Sequence, residues 1–142
     1  MSDAFSFDRF VQAQAPVMGQ VLRELGDGRK ASHWMWFVFP QLAGLGHSAL
    51  ARHYAIGSLA EARAYLSHSV LGPRLVECAG LVNQVENRSA HEIFGSPDDL
   101  KFRSSMTLFA SAQPGASVFR AALDKYFGGT PDPLTIDKLS RP

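Results

Sequence analysis

The chain has 142 residues, a formal net charge of +1 from 14 Lys and Arg against 13 Asp and Glu, and 46% apolar against 19% charged residues. Such hydrophobicity with so little net charge excludes a disordered chain. The near balance of charge argues against a nucleic-acid or membrane-surface binder, since both need a surplus of Lys and Arg. A single cysteine, Cys78, leaves no internal disulfide framework and no Cys-rich zinc site. No apolar run reaches the roughly 18 residues of a membrane span. The opening residues carry Asp3 and Asp8 without a basic-then-apolar signal, so a cytoplasmic location is expected.

Along the chain the hydrophobic period is helical. From Ser6 to Leu25, Phe7, Phe10, Val11, Met18, Val21, Leu22 and Leu25 recur mostly at steps of three, four and seven, which gives one apolar face. Pro16 kinks this helix or starts a second one, and Gly26-Asp27-Gly28 ends it. The run Trp34 to Phe39 is large and apolar at every position. It suits a buried strand or a short buried helix, and periodicity does not choose between them. Pro40 stops it, and Gly44 and Gly46 mark a loop.

A short helix is expected over Ser48–Ile56, and a second from Ser58, where Ser58-Leu59-Ala60-Glu61 reads as a capping box. Val70–Val85 is a clearer amphipathic helix, with Leu71, Leu75, Cys78, Val82 and Val85 on one arc. A turn or two follows at Ser89–Phe94. Ser96-Pro97-Asp98-Asp99 opens a helix that runs to about Ala112, with Ser at the cap, Pro at the first helical position and acids in the first turn. A last helix spans about Ala116–Phe127. The fold class is therefore all-α: a single compact bundle of about six to eight helices over residues 1–129, and a proline-rich loop or strap over residues 130–142.

Two segments carry residue types suited to a ligand. In the first, Arg29, Lys30, Ser32 and His33 precede Trp34 and Trp36, and Gln41 follows. Cationic and hydroxyl donors beside flat aromatic faces suit an anionic, ring-bearing molecule such as a nucleotide. The plainer reading makes the aromatics core and has Arg29 and Lys30 neutralise the end of the preceding helix. In the second, Lys101 with Ser104 and Ser105 at i+3 and i+4 forms a polar patch for phosphate or ribose hydroxyls. Its plainer reading is close helix packing, with the serines bonded back to helix carbonyls.

The five histidines show neither an i, i+4 pair nor an HExxH pattern, so no metal site is expected, and no cofactor is implied. Cys78 reads as a core thiol. Glu77, Glu92 and Asp132 are the available general bases, unranked. Asp132 and Thr135 are also suited to an Asx or Ser/Thr turn that folds the tail back over the bundle and closes a pocket or merely pins the tail.

The stretch Ser32-His33-Trp34-Met35-Trp36-Phe37-Val38-Phe39-Pro40-Gln41-Leu42 resembles the bacterial domain-of-unknown-function family numbered 1810, and the resemblance covers nearly the whole chain. Phe10-Val11-Gln12-Ala13-Gln14, Tyr54-Ala55-Ile56, Leu71-Gly72-Pro73-Arg74-Leu75, Ile93-Phe94-Gly95 and Lys101 through Phe109 carry the rest of it. Ser69, where the family has proline, and Pro16 depart from the pattern. The resemblance implies a single all-α domain of unassigned activity. The calpastatin-like label borne by some members does not suit this composition, because inhibitors of that kind are disordered. In helix content and polar-aromatic character, though in no motif, the chain is also similar to an all-α family that hydrolyses ADP-ribosyl or riboflavin-precursor N-glycosides.

The expected function is binding, or hydrolysis, of a small anionic nucleotide- or ribosyl-type molecule between these two segments. The rival is a non-enzymatic module that docks a partner or a second copy through the aromatic segment. A hollow joining the segments favours the first, a flat exposed aromatic patch the second, and burial of both tryptophans neither.

Overall fold

The computed structural model describes residues 5–141; Asp3 and the outer ends of the expected domain and tail lie outside the described residues. Within them the fold is all-helical. Ten helices are present rather than six to eight: α1 Asp8–Gln14, α2 Met18–Gly26, α3 Met35–Val38, α4 Ala49–His53, α5 Leu59–Ser67, α6 Leu71–Gln84, α7 Ala90–Phe94, α8 Asp98–Ala112, α9 Val118–Phe127 and α10 Pro133–Ser140.

The extra elements have local causes. Pro16 has no N–H to continue the ladder, so α1 closes in a turn at residues 15–17 and α2 restarts at Met18. The apolar run resolves as the single turn α3, and Pro40 prevents its extension. The tail contains α10 in place of an irregular strap: Asp132 caps it by accepting from the Thr135 N–H, and Pro133 occupies the first turn, where a missing donor costs nothing.

Two caps differ from expectation. Ser58 accepts from the Glu61 N–H, but Glu61 returns its carboxylate to the Gly57 N–H and to Arg9 instead of completing the box. The full reciprocal box forms at Ser89 and Glu92. Pro97, not Ser96, stands at the cap of α8.

α8 is the central helix. It packs on α5, α7, α9 and α10, with Phe102, Met106, Leu108 and Phe109 wholly buried. Phe102 stacks on Phe94 at 4.7 Å and meets Phe39 edge-on at 5.0 Å. This aromatic junction welds the segment after α2 to the N-terminal half of α8. The backbone of Gln41 to Ala43 is fastened to Ile56 by a single bridge, with the Ile56 N–H on the Gln41 carbonyl at 2.9 Å and the Ala43 N–H on the Ile56 carbonyl at 2.8 Å. Among the described residues no helix is long and apolar enough to cross a membrane.

Candidate functional site

The site begins with how α3 is held. Glu24, on α2, is a buried carboxylate with five donors. Oε1 accepts from the N–H groups of Ala31 at 2.7 Å and Ser32 at 2.9 Å and from the Trp34 indole Nε1 at 3.0 Å. Oε2 accepts from the Ser32 hydroxyl and, at 2.7 Å, from Gln20. Burial opposes its ionisation, yet the bonds from Ser32, Ala31 and Gln20 outweigh burial and hold its carboxyl at about 2, against an ordinary 4.5.

The other end of α3 is secured from α1. The buried Gln14 amide donates to the Phe37 carbonyl at 2.6 Å and to the Tyr65 hydroxyl at 3.2 Å, while Arg74 donates to its oxygen at 3.3 Å. One helical turn is thus clamped at both ends by side chains from two different helices. Between the clamps stands the half-buried Trp36.

The two candidate segments meet at Asp98. Its carboxylate pairs with Lys30 at 2.9 Å and with Lys101 at 3.6 Å. Each lysine lies over a tryptophan, Lys30 over Trp34 at 5.2 Å and Lys101 over Trp36 at 5.6 Å. Lys101 then forms part of the wall of two adjoining spaces. The inner one, about 10 Å³, is lined by Trp36, Gln41, Tyr54 and the 44–46 loop and has room for about one water. The outer one, about 290 Å³, is an open hollow lined by Gln41, Lys101, Arg103, Ser104, Asp132 and apolar side chains including Leu100 and Leu134.

The loop between them depends on glycine. A Cβ on Gly46 would lie 2.6 Å from that of Ala51, and Gly44 has φ +94° with the Lys138 side chain laid across it.

Among the described residues no hydrogen bond engages the Trp36 indole N–H, the Gln41 amide or the Tyr54 hydroxyl, all three of which line the inner space. Partly solvated, they carry four donor hydrogens and two acceptor oxygens.

The candidate residues divide accordingly. Trp36, Gln41 and Lys101 share the inner wall, and Gln41, Lys101 and Ser104 share the outer one. Trp34 is buried with its N–H on Glu24, and Lys30 is a largely buried partner of Asp98. Arg29 and His33 are exposed and line neither space. Ser105 is wholly buried, and its hydroxyl has no partner among the described residues, whereas the one hydroxyl proton of Ser104 is shared between the Leu100 carbonyl and Asp132 Oδ2.

Of the general-base options, Glu77 is exposed on α6 and Glu92 is committed to its cap; Asp132 alone reaches the hollow. Cys78 is buried, and burial pushes its thiol up to about 12, which suits an inert core residue. Sequence reasoning missed Glu24, Tyr54 and Asp98. Tyr54 stood in a family motif without a role, and Asp98 was read only as a first-turn acid.

The family profile described as "Protein of unknown function (DUF1810)" matches residues 4–139. The chain belongs to this family. A crystal structure at 1.38 Å of the conserved hypothetical protein Rv1873 from Mycobacterium tuberculosis is similar to it, with 60% identity and a TM-score of 0.97 over 99% of this chain and 100% of that one. No curated protein matches the chain. The relatives therefore establish the fold and the family and bring no activity with them.

Proposed function

We propose that the cleft between α3, the 41–46 loop and the first half of α8 binds a small anionic molecule of nucleotide or ribosyl type. The observation that carries this is the convergence at Lys101. Lys101, resting on the Trp36 indole face, borders the open hollow of about 290 Å³ beside Gln41, whose amide has no protein partner among the described residues. A concave surface where Lys101 and the half-buried, unpartnered Gln41 amide converge among apolar side chains suits a ligand. The outer hollow is at the small end of the ligand-pocket range, which favours a single sugar or nucleoside unit over a dinucleotide.

A second reading is self-association through the same rim. Leu100 and Leu134, 57% and 64% exposed, favour it. Sedimentation of wild type and Leu100→Asp tests it: a dimer that the substitution dissociates supports it.

Ligand binding is tested by thermal shift against nucleotides, ADP-ribose and sugar phosphates. A ligand at about 100 times its Kd adds about 2.7 kcal/mol of stability. Lys101→Ala and Trp36→Ala are expected to abolish the shift. A shift that survives both substitutions removes this cleft from consideration.

A further inference from the structure

Resting on the ligand cleft proposed above, the geometry points to Asp132 as the acceptor of a sugar hydroxyl, which makes the ligand a polyhydroxylated, ribosyl-type anion rather than a simple aromatic or phosphate anion. The two oxygens of this carboxylate are unevenly used. Oδ2 accepts three donors: the Ser104 hydroxyl at 3.0 Å, the Thr135 N–H at 3.1 Å and the Thr135 hydroxyl at 2.6 Å. Oδ1 has no partner among the described residues.

Capping α10 needs only the bond to the Thr135 N–H. The two hydroxyls fix the plane of the carboxylate beyond what the cap requires. The main chain is fixed too, because the Asp132 N–H donates to the Thr107 hydroxyl at 2.9 Å and Arg103 donates to the carbonyls of Thr130 and Pro131.

The result is a carboxylate held in orientation on the wall of the hollow, with its protein bonds on Oδ2 and none on Oδ1 among the described residues. A carboxylate accepts and never donates, so what it recognises is a donor. An anion alone would be repelled there. A molecule whose anionic end lies at Lys101, and whose hydroxyls lie toward Asp132, satisfies both walls at once. Vicinal hydroxyls of a ribose unit have that character.

The test compares ribose 5-phosphate with 2-deoxyribose 5-phosphate, binding of each being measured by calorimetry to wild type, Asp132→Asn and Lys101→Ala. Asn caps a helix about as well as Asp and keeps an oxygen for Ser104 and Thr135, while it places a donor where Oδ1 was. Wild type should bind the ribose compound at least about tenfold more tightly, since a site built for a hydroxyl rejects the analogue lacking it. Asp132→Asn should bring that ratio to within about twofold, with an unliganded melting temperature close to wild type.

Equal binding of both sugars to wild type, lost in Lys101→Ala, overturns the role of Asp132 and leaves the cleft standing. A preference unchanged in Asp132→Asn does the same. Binding of neither sugar to wild type at millimolar concentration overturns the ribosyl assignment and leaves the cleft to the thermal-shift screen, and binding indifferent to Lys101→Ala overturns both.

Discussion

Two polar clusters are attached to the same aromatic segment, and they are completed to different degrees. Around Glu24 both carboxylate oxygens are occupied, and the donors they collect come from residues that fix the path of the chain into α3. Around Lys101 the ammonium has one carboxylate at 3.6 Å, and the neighbouring indole, amide and phenol groups bond to nothing among the described residues. Both clusters contain a tryptophan and a lysine–indole contact, so residue type alone does not separate them. What separates them is satisfaction. A saturated, buried network holds a shape, and an open one at a cavity wall leaves hydrogen bonds for another molecule.

The contrast breaks first at Glu24. Glu24→Ala leaves buried donors on Ser32, Ala31 and Trp34 without an acceptor, and urea denaturation should record a loss of about 3–4 kcal/mol. A loss below about 1 kcal/mol would mean that the network is not holding the fold.

Acid probes the same residue without a mutation. The folded carboxyl titrates at about 2 and the ordinary one at 4.5, so the unfolded chain takes up the proton first. The contribution of Glu24 is therefore complete above about pH 4.5 and is lost as the pH falls through 2, roughly 3 kcal/mol in all. Glu24→Gln should flatten the fall in stability across that window.

The smallest effect is the sharpest discriminator, because it compares two phenols. The Tyr65 hydroxyl is buried and accepts the Gln14 amide, so Tyr65→Phe should cost about 1 kcal/mol. Tyr54 lines the inner cavity with its hydroxyl unbonded among the described residues, and Tyr54→Phe should change stability by less than about 0.5 kcal/mol. Equal costs would erase the distinction between a bonded polar group and an open one.

Much of the fold was legible because helical spacing and breakers are local signals. Pro16, Gly26 and the 96–99 start each announce themselves within a few residues. The tail misled because three prolines suggest irregular chain, although Asp132-Pro133 followed by Thr135 is equally a helix start with a cap and a proline in the first turn. The site was less legible. Lys101, Trp36 and Gln41 stood out by type, but the choice between Trp34 and Trp36, or between Ser104 and Ser105, turns on which neighbour faces a long-range partner. Glu24 looks like any solvated charge on an amphipathic helix, and only the return of the chain over it reveals five donors. A one-dimensional pattern records periodicity and does not record what lies opposite.

The interruption at residues 15–17 acquires a meaning from what lies on either side of it. Gln14 precedes it and grips the far end of the aromatic turn; Glu24 follows it and grips the near end. The break between α1 and α2 thus works as the hinge of a vice, and the workpiece is the turn that presents Trp36. A remote change that fused the two helices would slacken one jaw and register at the indole, with no residue of the cleft altered.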